Sequence, residues 1–553
     1  MIATTHSTPF EELAVVAEGP MLQGDLEIDG AIEFRRLWRE FASDFFQGRR
    51  YDRVDGMQAA DRLASCFANA GLSPMPGWNG FSQPVPIERT SFAAGAAQWS
   101  LLAGGERVVS HGPDLAFVRI HSGSSERLRL QGAEVVFAGH GIHAPEVAIE
   151  DFADMDLGGR IVAVLHGYTH PDPRLCKLDG GYQDRTRWTT KVQEVRKRGA
   201  AGVMFICQPS AKGYPFRLIA DTLGAETAGL IGERAGGTEP FAELWLEGAF
   251  AAGLLDKAGR DLSGLIDKAR HDRFRLVPLA GLTVDLDVNL VSEPVVSKNI
   301  AGFRPGRDNS RGAVLLLAHW DHLGADNYDS LGARVFNGAI DNASGMAGLA
   351  LLPRLLKDTI TERPIVFLST TGEEIGFLGA RHFLTRQAPE LCPVDAVINL
   401  DAFFPLGRTR DIKLVGRGLT TLDELIEQAA AEYGKYVRPD PLASNYLSSD
   451  HICFAQAGIP TVQLITGIDV TDGGPDVGQA RRNDLKARIH TQADVFDDDW
   501  DVSSVFEDIQ IIARSAILIA DLAERPNWKP GAPYAAGNTV GLVHDGLNSG
   551  ARP

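Results

Sequence analysis

The chain has 553 residues, 44% apolar and 23% charged, and acids outnumber bases 72 to 54, for a formal net charge of −18. That length suffices for two or three domains around a sizeable core. The acidic balance disfavours a nucleic-acid surface, which needs clustered Lys and Arg. No apolar run approaches the ~18 residues of a membrane span, and residues 1–10 lack the basic and apolar regions of a signal peptide. A soluble, cytoplasmic protein without membrane or nucleic-acid partners is expected, with export and homo-oligomerisation left open. Cys66, Cys176, Cys207, Cys392 and Cys453 are scattered without a CxxC spacing and read as free thiols.

Residues 1–29 are acidic and weakly periodic, which suits a loose arm. Helical spacing follows at 31–46, where Phe34, Leu37, Trp38, Phe41 and Phe45 form a stripe, and again at 57–70. A strand fits 81–87. Near 119 the texture changes. Short strands at 134–138, 160–165 and 202–206 alternate with Gly- and Pro-bearing turns, a basic helix fits 190–198, and 166–187 reads as a solvated polar loop. Helical spacing returns at 240–269. Leu282, Val284, Leu286, Val288 and Leu290 then alternate strictly, predicting a strand with one buried face.

From about 300 the order becomes regular. Strands are predicted at 313–318, 364–370, 394–400, 411–416 and 460–466, and helices at 343–357, 376–387, 421–433 and 501–523. This alternation predicts an α/β fold with a mostly parallel central sheet covered by helices on both faces. Residues 468–486 read as a long polar loop, and the chain past Arg525 as a Gly- and Pro-rich tail.

Within this half, apolar runs stop at acids and histidines, and ligands of open α/β sheets bind at the carboxyl ends of the strands. Five side chains stand at such turns: His319, Asp341, Glu374, Asp401 and His490. Imidazoles combined with carboxylates suit zinc. Two nearby ions need a ligand with two oxygens to bridge them, and Asp341 has that capacity. His319 with Asp401 would then hold one ion and His490 with Glu374 the other. Glu373, next to Glu374, would face a shared water and move its proton. The competing reading is that the two glutamates merely favour a helix N-terminus. Asp321 would accept the remaining ring N–H of His319, with a surface acid as its alternative. His322 and His451 read as structural histidines.

The segments AHWDHLG, NGAIDNASG, STTGEE, NLD, YLSSDH and IHTQAD, in this order, resemble the two-zinc aminopeptidase family, which also contains glutamate carboxypeptidase and the transferrin receptor. The resemblance implies two zinc ions held by His319, Asp341, Glu374, Asp401 and His490, Glu373 as general base on a bridging water, and Tyr446 steadying the tetrahedral intermediate. A buried packing tyrosine is the alternative for Tyr446. The stretches Val135 to Ile142, Asp156 to Val162 and Lys197 to Val203 look like a protease-associated domain, β-rich and inserted in the catalytic fold. The organisation this implies is an arm at 1–29, catalytic segments at 30–118 and 285–525 around the insert at 119–284, and a tail at 526–553.

The implied function is a metal-dependent exopeptidase, most simply an aminopeptidase acting on peptides. A carboxypeptidase or dipeptidase would be favoured by a basic pocket built from Arg417, Arg481 and Arg482. Glutaminyl cyclisation goes with a reduced, single-zinc ligand set, and a receptor-like binding protein with eroded ligands; here all five positions are filled.

Overall fold

A computed structural model describes residues 24–93, 98–108, 114–121, 125–153, 155–166, 187–208, 216–224, 226–232, 239–271, 274–326, 334–386, 392–439, 446, 448–532 and 534–535. Among them one continuous mixed sheet of 16 strands runs through the molecule. Its centre is Ala313–His319, paired in parallel with Ile365–Thr370 on one side and Val394–Leu400 on the other. Thr461–Thr466 continues the parallel order beyond Val394–Leu400. These strands read as unbroken apolar runs because both faces are covered. Val314, Leu316 and Ala318 enter one core, and Ala313, Leu315 and Leu317 the opposite one.

On the first face lie the helices Gly24–Phe41, Val54–Asn69, Ser344–Leu355 and Ser503–Ala520; on the second lie Leu378–Arg386 and His451–Gln456. The aromatic stripe of the first helix is buried as expected, except that Phe45 is 71% exposed. The helix stops at Phe41, and Asp44–Arg49 follows as a short 3₁₀ segment broken by left-handed backbone at Gln47 and Gly48.

The strand Val277–Arg304 joins two layers. Its last residues pair antiparallel with Ile365–Thr370, while its first half pairs with Gln98–Ala103 and Arg127–Phe137. The second layer continues through Ile161–His166, Gly202–Cys207, Phe241–Glu247 and Ala116–His121 and has its own cores. Gln98–Ala103 was expected in the first catalytic segment, yet Leu101 and Ala103 pack in this second layer. The layers therefore change near 93 and 290, outside the expected 119 and 284.

Two elements differ in kind from their reading. Residues 240–269 open with the strand Phe241–Glu247 before the helices Gly248–Lys257 and Leu262–Ala269. An apolar strand buried on both faces carries no period of two, so it merged with the helical pattern behind it. Residues 468–486 contain the helix Gly474–Lys486, with proline in its first turn, where its missing N–H costs nothing. The first helix begins at Gly24, inside the expected arm, whose first 23 residues lie outside the described ones. Of the expected tail, Trp528 and Tyr534 are buried. Cys66, Cys207, Cys392 and Cys453 are free thiols; Cys176 and most of the 166–187 loop fall outside the described residues. No helix among the described residues is long and apolar enough to cross a membrane.

His451 is fully buried, with the Asn399 side-chain amide 3.2 Å from its Nδ1. Burial pulls its pKa down to about 4, so it is neutral when folded and protonates near pH 6.5 when unfolded. A depressed histidine contributes stability that is present above pH 6.5 and is lost as pH falls toward 4. Urea unfolding at pH 7.5 and 5.5 should show about 1.4 kcal/mol of acid destabilisation from this residue. That part of the pH slope should vanish in His451→Gln.

Candidate active site

Parallel pairing brings the carboxyl ends of three central strands to one edge, with His319 beside Thr370 and Leu317 beside Asn399. His319 ends its strand, Glu373 and Glu374 stand three and four residues beyond Thr370, and Asp401 follows Leu400. Asp341 arrives on the turn before Ser344–Leu355, and His490 just beyond Gly474–Lys486.

All five expected ligands meet. Asp341 Oδ1 lies 3.2 Å from His319 Nε2, and Oδ2 lies 3.1 Å from His490 Nε2. His319 Nε2 is also 3.4 Å from Asp401 Oδ1, and His490 Nε2 is 3.1 Å from Glu374 Oε2. Two groups capable of holding a cation result: His319 with Glu373 and Asp401, and His490 with His322, Asp341 and Glu374. The spacing can be tested against zinc. Bonds of ~2.0–2.2 Å in a tetrahedron put ligand atoms roughly 3.4 Å apart. The observed 3.1–3.4 Å separations match, and the donor set is of the nitrogen and oxygen kind that zinc accepts.

The same proximity sets the electrostatics. Burial opposes charge on His319, but Glu373, Asp341 and Asp401 overcome it and hold the imidazole well above the usual histidine range. His490 is raised likewise by Glu374 and Asp341. Asp341 is driven well below the carboxylate range by the two imidazoles despite its burial. Glu373 goes the other way: burial pushes it well above that range, with Glu374 and Asp401 adding to the effect.

Asp321 acts on the site through different atoms from those expected. The His319 Nδ1 partner is its backbone carbonyl at 3.1 Å, while its carboxylate is 3.9 Å away. Asp321 Oδ1 instead accepts the Glu373 amide at 3.2 Å, so this buried acid holds the turn that presents Glu373. Tyr446 is buried, and its hydroxyl is bonded to Thr461, 2.6 Å from Oγ1 and 3.2 Å from the carbonyl. The three arginines that a carboxypeptidase's basic pocket would draw on are engaged separately: Arg417 with Glu427, Arg481 with Asp472, and Arg482 over the Phe404 ring.

Other members of the site carried no strong signal. His322, read as structural, places Nδ1 2.6 Å from Glu374 Oε1 and so orients that carboxylate. Its ring fits because residue 338 is glycine: a Cβ there would lie 2.5 Å from the His322 ring and 2.1 Å from the Asp341 carbonyl. Asp494 accepts the amides of Ile340 at 2.8 Å and Asp341 at 3.3 Å. Asn342 ties the same turn to the Leu400 carbonyl at 2.9 Å. The IHTQAD stretch contained Asp494, four residues after His490, but only its position in space gives it a task. Removing Asp494 strands the buried amide of Ile340 and the partly buried amide of Asp341, and an unsatisfied buried donor costs about 1–3 kcal/mol. Asp494→Ala should therefore lose about 2 kcal/mol or more in urea unfolding, and Asp494→Asn, which keeps one acceptor, clearly less.

Residues 299–512 match the model of peptidase family M28. Over 93 residues the chain is 39% identical to the alkaline phosphatase isozyme conversion protein of Escherichia coli (strain K12), covering 16% of this chain and 27% of that one. Over 182 residues it is 27% identical to aminopeptidase YwaD of Bacillus subtilis (strain 168), covering 32% and 37%. The chain thus spans well under half the length of these curated relatives. Its fold is similar to that of an aminopeptidase from Aneurinibacillus sp. strain AM-1, with a TM-score of 0.52 and 17% identity over 91% of this chain and 97% of the other. The family resemblance read from the motifs holds over the segment that carries them.

Proposed function

We propose that this chain, whose residues 299–512 group with peptidase family M28, is a zinc-dependent aminopeptidase with two ions per site. One observation carries the reading: the two oxygens of a single carboxylate, Asp341, face His319 and His490 at 3.2 and 3.1 Å. In this reading His319 and Asp401 would hold one ion and His490 and Glu374 the other, with Asp341 serving both. Bound there, zinc would polarise the scissile carbonyl and favour deprotonation of water near neutral pH.

The chain's own residues do the rest. Glu373 takes a proton from the attacking water and delivers it to the departing amine. Asp321 keeps the Glu373 turn in register through the amide bond at 3.2 Å. Tyr446 enters the reaction only by exchanging its bond to Thr461 for one to the developing oxyanion.

Aminopeptidase action is preferred to carboxypeptidase action because Arg417, Arg481 and Arg482 are engaged apart from one another. The test is hydrolysis of aminoacyl-nitroanilides compared with N-blocked and C-terminal substrates. Cleavage restricted to free N-termini, abolished by a chelator and restored by zinc, is expected; cleavage of blocked substrates alone would refute the reading. Glu373→Gln should lower kcat by about 10²–10⁴ with metal content unchanged. Asp341→Ala should lose both ions by elemental analysis after dialysis, and retention of a full complement would remove its bridging role.

A further inference from the structure

Beneath the ligand cluster lies an arginine that neither the motifs nor the reaction assigned. Arg49 is 1% exposed, and among the described residues no carboxylate lies within ion-pair distance of it. Its guanidinium instead donates to four backbone carbonyls: Nε to Trp320 at 3.0 Å, Nη1 to Phe41 at 2.8 Å and Asn337 at 2.5 Å, and Nη2 to Gly338 at 2.9 Å. Its own carbonyl accepts the His322 amide at 3.1 Å. The turn carrying His319 is thus gripped at Trp320 and at His322, and the turn carrying Asp341 is gripped at Asn337 and Gly338, all by one residue.

Two further observations make this more than incidental packing. The backbone that delivers the side chain is left-handed at three successive residues, Gln47 (φ 46°), Gly48 (φ 68°) and Arg49 (φ 52°), a conformation that side-chain-bearing residues rarely adopt. At Gly48 a Cβ would lie 2.2 Å from the Gly324 carbonyl, so the segment is pressed against the first ligand turn. The buried positive charge also faces Asp494, Asp341, Asp321 and Glu374 through space. A lysine would carry the charge, but its single ammonium has three donors at one point, whereas a planar fork reaches carbonyls on separate turns.

We infer that Arg49 is a positioning residue for the cation site, setting the separation of His319 and Asp341 by clamping their two turns together. The inference rests on the metal-site reading above. Neutralising Arg49 would by charge alone favour cation binding, so the clamp makes the opposite forecast.

The experiment titrates metal-free full-length protein with zinc against a chromophoric chelator for wild type, Arg49→Lys and Arg49→Met. Ile426→Ala, in the same core but away from the site, serves as a stability control. Both Arg49 variants should bind zinc about tenfold to a hundredfold more weakly, as for other residues that orient metal ligands. They should keep a cooperative unfolding transition without metal, and kcat should fall more than KM rises. Ile426→Ala should bind as wild type does. Wild-type affinity in Arg49→Lys overturns the clamp, and so does an equal loss in Ile426→Ala, which would trace the effect to general destabilisation. An Arg49→Lys chain that no longer unfolds cooperatively overturns it too, by making Arg49 a folding residue. Wild-type protein that takes up no zinc sinks the metal-site reading itself and the clamp with it.

Discussion

The molecule is built around a carboxylate held between two imidazoles. Asp341 is clustered with Glu374, and His319, which it faces, is clustered with Glu373 and Asp401; like charges about 4 Å apart repel by roughly 4 kcal/mol at an effective dielectric near 20. Such a cluster survives burial only where cations compensate it. His319 and His490 do so directly, and Arg49 does so from below without touching a carboxylate. The remaining acids are kept in line by backbone amides: Asp494 under the Asp341 turn and Asp321 under the Glu373 turn. Each acid is thereby committed to a different orientation, which lets adjacent residues such as Glu373 and Glu374 serve different purposes.

Sheet register turns this electrostatic arrangement into geometry. Because neighbouring strands run parallel, their ends fall on the same edge, and His319, Glu373, Glu374 and Asp401 each stand at or only a few residues past a strand's end. A slip of one residue in Ala313–His319 would send His319 to the opposite face. The complete burial of that strand on both sides makes such a slip expensive. Asp341 and His490 are the exceptions, Asp341 arriving on the turn before a helix and His490 coming from a loop in a left-handed conformation, φ 63°. Strain of that kind costs on the order of 1–3 kcal/mol and persists where the surroundings enforce it; here Asp341 and Glu374 both meet its ring.

Much of this was legible in the chain because strand-end chemistry is local. An apolar run ending in His319 or Asp401 announces both the strand and what it delivers, and the regular alternation after 300 set the order of layers. What escaped was chemistry made only by folding. Arg49 sits after a helix among aromatic residues and has no spacing to its four acceptors, which lie up to 289 positions away. His322 looked structural because its partner Glu374 is 52 residues distant. Asp321 was assigned to the right neighbour through the wrong atom, since a sequence does not tell a side-chain oxygen from a main-chain one. The helix Gly474–Lys486 was hidden by Gly473, Gly474 and Pro475, which signal a turn equally well.

The join between the two layers has a topological consequence. Ser82–Phe92 pairs antiparallel with residues 290–300, Phe92 lying directly opposite Leu290. The chain therefore leaves the first layer and returns to it at the end of one ribbon, and Thr227–Leu230 pairs back onto that ribbon from within the excursion. A guest placed where the host's two ends already touch adds little loop-closure entropy to the host, however long the guest is. The same ribbon closed by a two-residue turn would be an ordinary hairpin. Ala93 and Asn289, joined by a 2.9 Å backbone hydrogen bond, thus flank the tip of a hairpin, a place where a whole layer can be inserted while the sheet around Ala313–His319 keeps its register.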